Sequence, residues 1–200
     1  MTNTSWLSSF DERKEQENQQ YNIVIDFFEK SWFEVKDVHN DPKYFSVDID
    51  LLIYNDWKEI SVEVKFDDYM YRTNNFFFEI VSNEQLNTKW CFLKSEADIL
   101  LYYDKINHIW YFLPMAKTQE WFFDIRKDYN SQNIKRIDEN DFRLKSTHTH
   151  EHWVYHHTTI WRLADKDKVL KSLNKKGIPY YIKNILSEKI LVMEVDNLLS

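Results

Sequence analysis

Ser46-Val47-Asp48-Ile49-Asp50-Leu51-Leu52-Ile53-Tyr54 and Ile60-Ser61-Val62-Glu63-Val64-Lys65-Phe66, joined through Asn55-Asp56-Trp57-Lys58, are the stretches whose reading decides the fold. Both runs alternate apolar and polar residues, the period of a strand with one buried face. The intervening residues carry turn chemistry, so the pair reads as an antiparallel hairpin. Val47, Ile49, Leu51 and Ile53 make one apolar face, and Ile60, Val62, Val64 and Phe66 make its match. Pairing Tyr54 with Glu59 aligns these faces, sets Asp50 opposite Glu63 and sets Asp48 opposite Lys65. Like charges directly across a hairpin are destabilising unless something neutralises them. A divalent cation is the simplest neutraliser. The same alternation also fits a solvent-facing hairpin whose Asp48 and Lys65 form a surface ion pair.

Two acids and a lysine around a metal suit phosphodiester hydrolysis. Mg²⁺ takes hard oxygen ligands and keeps several waters, so two carboxylates leave room for water and phosphate. Lysine adds a flexible cation that can hold a hydroxide or a phosphate oxygen.

Outward from the hairpin, Asp11 to Lys30 reads as a helix, with Tyr21, Val24, Ile25, Phe28 and Trp32 at helical spacing. Glu17, four residues before Tyr21, is either a solvated helix charge or an acid leaning towards the site. Strands are expected at Phe76–Ile80, Ala97–Tyr103, His108–Leu113 and Trp153–Leu163, a short helix over Lys117–Lys127, and mostly helix from Asp165 to Ser200, broken near Gly177-Ile178-Pro179. This order gives an α/β (α+β) fold, a central mixed β-sheet flanked by helices. The expected organisation is a core over residues 1–163 and a helical C-terminal extension over 164–200. With one glycine in the chain, Asn and Asp must supply positive φ, as in Tyr54-Asn55-Asp56 and Thr73-Asn74-Asn75.

Aromatic content of 17% and hydrophobic content of 43% exclude a disordered chain. The single Cys91 excludes an intramolecular disulfide and reads as a buried structural thiol in a cytoplasmic protein. Met1 to Ser9 lacks the basic and apolar regions of a signal peptide. No stretch approaches the ~20 apolar residues of a membrane span. A net charge of -7 argues against a protein that grips nucleic acid over its whole surface, but not against a nuclease with acidic catalytic residues.

Asp50, followed after twelve residues by Glu63-Val64-Lys65, then Thr73-Asn74-Asn75-Phe76-Phe77-Phe78-Glu79 and Ser95-Glu96-Ala97-Asp98-Ile99-Leu100-Leu101-Tyr102-Tyr103, resembles the PD-(D/E)XK nuclease superfamily, in a branch found in phage and mobile-element proteins. That branch tends to show Thr-Gly-Asn before an aromatic strand ending in Glu; Asn74 stands where its glycine is usual. The resemblance covers about Asp11 to Arg126. It implies a restriction-endonuclease-like core and a Mg²⁺- or Mn²⁺-dependent deoxyribonuclease, phage-encoded and acting in DNA processing or recombination in the host cytoplasm. By position it makes Asp50 and Glu63 metal ligands, the Val64 carbonyl a further ligand and Lys65 the water-positioning cation. Asp48, Glu79 and Glu17 are candidates for a surrounding role. A catalytically silent protein of the same fold, binding a protein partner or nucleic acid, is the alternative, and an RNA-directed nuclease a third reading. Exo- or endonuclease action, strand preference and homodimer formation stay open.

Other residues carry weaker signals. Asp98 starts an apolar strand and is expected to hold a structural hydrogen bond. His148, His150 and His152 would share a strand face, followed by His156 and His157; this cluster reads as a Zn²⁺ site or as an edge contacting substrate or solvent. Arg162 to Lys189 is locally basic and reads as a solvated face or a phosphate-contacting helix.

Overall fold

The computed structural model describes residues 5–56, 58–67, 69–83, 88–89, 91–124, 142–151, 154–184 and 192–200. Six strands form a mixed sheet in the order β1 (Glu34–Asp37), β2 (Leu51–Asn55), β3 (Lys58–Asp67), β6 (Ile99–Asp104), β7 (Ile109–Pro114) and β10 (Tyr181–Asn184). Neighbours are antiparallel except β3 and β6, which run parallel. A second, four-stranded antiparallel sheet runs β5 (Thr88–Lys89), β4 (Asn75–Asn83), β9 (Val154–Asp165), β8 (Phe142–Glu151). The longer helices are α1 (Ser5–Lys30), α5 (Met115–Asp124), α6 (Lys166–Lys175) and α7 (Val192–Leu199). Single turns α2 (Pro42–Phe45), α3 (Met70–Thr73) and α4 (Cys91–Lys94) punctuate the strands.

Both faces of the six-stranded sheet are buried. Tyr21, Val24, Phe27 and Phe28 of α1 and Val195 and Leu198 of α7 pack on Leu51, Ile53, Val62, Val64, Leu101 and Phe112. On the other side Phe76, Phe78 and Ile80 of β4, Trp121 and Phe122 of α5 and Leu173 of α6 pack with Leu52, Leu100, Tyr102 and Leu113. Double burial explains why β6 and β7 are almost continuously apolar, whereas β3 alternates only where its polar face meets the site. Each large side chain so buried contributes about 1.5–3 kcal/mol.

The hairpin has the expected register, with Tyr54 opposite Glu59 and Leu51 opposite Val62. Asp56 and Asn74 take the expected positive φ, at 51° and 53°. Its first strand, however, starts at Leu51 and not at Ser46. Asp41 accepts from the Lys43 N–H at 2.9 Å and Pro42 follows it, a cap and first-turn proline that start α2. Asp48 then turns the chain at φ 48°, a conformation aspartate tolerates better than most residues. The break also puts Ile49 in the core on the β4 side, away from Leu51 and Ile53.

The C-terminal segment also differs from a mostly helical reading. After α6 and Gly177, at φ 71°, Tyr181–Asn184 adds β10 to the edge of β7. Pro179 disfavours helix in the residue before it, which steers this stretch towards an extended path. Among the described residues, no helix is long and apolar enough to cross a membrane.

Candidate active site

The strand offset at β2 builds the site. β3 continues past the residue that pairs with Leu51, so its Glu63-Val64-Lys65 segment has no β2 ladder beside it. The chain preceding β2 fills that space with Asp50. The Asp50 backbone is held from two sides: its N–H donates to the Val62 carbonyl at 2.9 Å, and its carbonyl accepts from the Val38 N–H at 2.9 Å. Its carboxylate Oδ2 accepts from the Val64 N–H at 2.8 Å, where a continued ladder would offer a main-chain carbonyl. The N–H and carbonyl of a strand residue project to the same side, so the Val64 carbonyl also faces the gap beside Asp50.

Glu63 and Lys65 alternate away from Val62 and Val64, onto the face that β4 approaches. Glu63 is 3% exposed. Lys65 Nζ lies 2.6 Å from Glu63 Oε1 and 3.9 Å from Glu79 Oε2. Glu79 comes from the second sheet: Phe76, Phe78 and Ile80 fill the core, and alternation turns Phe77 and Glu79 the other way, into the cleft. Burial pushes the Glu63 carboxyl well above the ordinary carboxylate range, with Lys65 opposing and Asp50 reinforcing the shift.

These groups line one open cleft of about 810 Å³ that contains Asp48, Asp50, Glu63, Val64, Lys65 and Glu79. Asp48 is not across a ladder from Lys65. The turn that carries it is pinned by Ser95 Oγ donating to the Asp48 carbonyl (3.0 Å) and by the Glu96 N–H donating to the Val47 carbonyl (3.0 Å). Its carboxylate pairs with Lys94 Nζ at 3.2 Å, and burial raises its proton affinity. Asp98 serves structure, as expected: its Oδ2 accepts from both the Ser61 N–H and the Ser61 hydroxyl, each at 2.8 Å. The side chains of Glu17, Cys91 and the His148–His157 cluster lie outside the described residues.

Two cleft residues escape the sequence reading. Tyr21 looks like one more core aromatic of α1, yet it lines the cleft beside Asp50, and its proton is held tightly by burial and by the Asp50 and Glu63 charges. The available signal is general: a buried tyrosine hydroxyl needs a partner. His39 stacks on Tyr21, ring centroids 4.3 Å apart and 8° between planes, with Nδ1 2.5 Å from Asp37 Oδ1. Nothing in Val38-His39-Asn40-Asp41 distinguishes that histidine from an ordinary turn residue.

The donor set of Asp50, Glu63 and the Val64 carbonyl is all hard oxygen, suited to Mg²⁺ or Mn²⁺. The two acids repel each other in a buried setting, a cost a dication would offset. Among the described residues, no group of three His, Cys, Asp or Glu forms a cage by itself, so water and substrate oxygens would complete the shell.

No protein-family model, no curated protein and no solved structure matches this chain.

Proposed function

We propose that this chain is a metal-dependent nuclease of the PD-(D/E)XK type, with a restriction-endonuclease-like core, hydrolysing DNA phosphodiester bonds. The observation that carries this reading is the convergence of Asp50, Glu63, the Val64 carbonyl and Lys65 at the strand offset, open to a cleft. Asp50, Glu63 and Val64 would hold Mg²⁺ or Mn²⁺, which when bound activates water and neutralises charge at the phosphate. Lys65 orients the attacking water or a phosphate oxygen with its three donors. Glu79 lies near the Lys65 ammonium and steers it across the cleft. The Val64 N–H orients the Asp50 carboxylate.

Purified protein with Mg²⁺ or Mn²⁺ should nick or degrade DNA, and Lys65→Ala or Glu63→Ala should lower the rate by at least ~100-fold, the scale of losing a transition-state electrostatic partner. Wild-type protein inert on linear, single-stranded and branched DNA with both metals would remove the nuclease reading.

One contact favours a second reading, a silent protein of this fold that binds a partner or nucleic acid. Lys65 at 2.6 Å from Glu63 already neutralises the buried acid without a metal. Calorimetric titration separates the two: Mg²⁺ uptake that disappears in Glu63→Ala supports the enzyme, and no uptake at millimolar metal supports the silent form.

A further inference from the structure

Phe45 ends α2 and is 65% exposed, although it lines the same cleft as Asp50, Glu63 and Lys65. A phenylalanine left mostly in water forgoes much of the stabilisation that burial would give it. Its exposure is built in. Tyr44 packs against the core and anchors the turn. The Asp41 cap at 2.9 Å and the Ser46 hydroxyl donating to the Lys43 carbonyl at 2.9 Å hold both ends of it. Phe45 is thereby presented outward on a short rigid turn.

Cations lie on the same turn and beside it. Lys94 Nζ lies 6.0 Å from the Phe45 ring centroid. Lys43 and Lys36 Nζ lie 4.6 and 6.0 Å from the ring of neighbouring Tyr44. The nearby acids are engaged, Asp41 by the first turn of α2 and Asp48 by Lys94. In a chain of net charge -7, this sets lysines and an exposed aromatic at the rim of an acidic floor.

We infer that this rim is a stacking platform for an unpaired base of single-stranded DNA, with Phe45 as the stacking face and Lys36 and Lys43 meeting the flanking phosphates; this rests on the nuclease reading of the cleft floor. A duplex keeps its base faces inside its own stack, whereas a single strand offers them, and cationic grooves with exposed aromatics bind single strands in this way. The base on Phe45 sets the position of a neighbouring phosphate over Asp50 and Glu63.

Fluorescence anisotropy with labelled oligonucleotides tests it, with Ca²⁺ replacing Mg²⁺ so that strands stay intact. The arms are single-stranded DNA, the duplex and single-stranded RNA of one sequence. Phe45→Ala should weaken single-stranded DNA by about 5- to 100-fold, the loss of one stacked base, and leave the duplex unchanged. Phe45→Trp should retain wild-type affinity. Lys43→Ala should flatten the dependence of log affinity on log salt by about 0.7, one phosphate contact on a single strand. An equal loss on duplex, no loss, no binding, or tighter Phe45-dependent binding of RNA overturns the inference. Because binding is read without cleavage, Phe45-dependent binding by a protein that never cuts would defeat the nuclease reading alone, and cutting without Phe45 dependence would defeat the platform alone. Circular dichroism of Phe45→Ala serves as the folding control.

Discussion

Asn74 shows how one residue does two jobs. It closes α3 at φ 53°, ψ 31°, the left-handed conformation usually given to glycine. Its side-chain Nδ2 donates to Asp167 Oδ2 at 2.8 Å, and its carbonyl accepts from the Lys166 N–H at 2.7 Å, tying α3 to the start of α6. Glycine could match the backbone but not the amide bond. Asn74→Gly should therefore cost about 0.5–1.5 kcal/mol in a urea titration, the net worth of one hydrogen bond. Asn74→Ala should cost about 1 kcal/mol more, through backbone strain. Glu63 gives a prediction in pH. Its folded pKa is raised, so between the unfolded value near 4.5 and the folded value the native state holds a proton that the unfolded chain has released. Stability supplied by the neutral acid is present below the unfolded value and is lost as pH rises towards the folded one. The melting temperature of Glu63→Gln relative to wild type, followed by scanning fluorimetry without metal, should climb as the pH rises above the unfolded value near 4.5. A flat difference would show that Glu63 is not the strained group.

At the scale of elements, the join between β3 and β6 is the critical seam, because it is the one parallel pairing in the larger sheet. Asp98 closes its start through Ser61, with the Asp98 N–H returned to the Ser61 carbonyl at 3.0 Å. Asp98→Ala should cost about 1–3 kcal/mol, since it strands two donors of Ser61, and hydrogen exchange should locate the loss in β3 and β6. The hairpin was legible because a two-residue period and a matched register constrain each other. Glu63, Lys65 and Asp50 followed from that register, and Asp98 from its place before an apolar strand. The offset at Asp48 was not legible, since Ser46–Asp50 alternates as well as any strand and only the Asp41-Pro42 cap betrays the turn. The edge strands β1 and β10 escaped because four residues with mixed exposure carry almost no period. The approach of Glu79 to Lys65 depends on how two sheets pack, which no local pattern encodes.

At the scale of the molecule, the larger sheet is a sandwich filling, and its two covers do different things. The α1 and α7 cover packs apolar side chains on the sheet, joins it through the Glu194–Lys183 ion pair at 2.7 Å, and brings Tyr21 to the cleft beside Asp50. The cover of β4, α5 and α6 carries the core aromatics and also delivers Glu79. Leu198 is 0% exposed under α7, and Leu198→Ala should cost about 2–5 kcal/mol by opening a cavity on the first side. On the proposed nuclease reading, metal-dependent cleavage per folded molecule should be unchanged, because the lost contacts lie away from the cleft; thermal melts and activity assays on one preparation check both halves.

The parallel pairing of β3 with β6 has a consequence in time. All of α3, β4, β5 and α4 lies between those strands in the chain, so they cannot meet until that whole loop has closed. Non-local strand pairing is slow. Glu79 lies within the same loop, so it reaches Lys65 only as that loop closes, whereas Asp50, Glu63 and Lys65 already share the local hairpin.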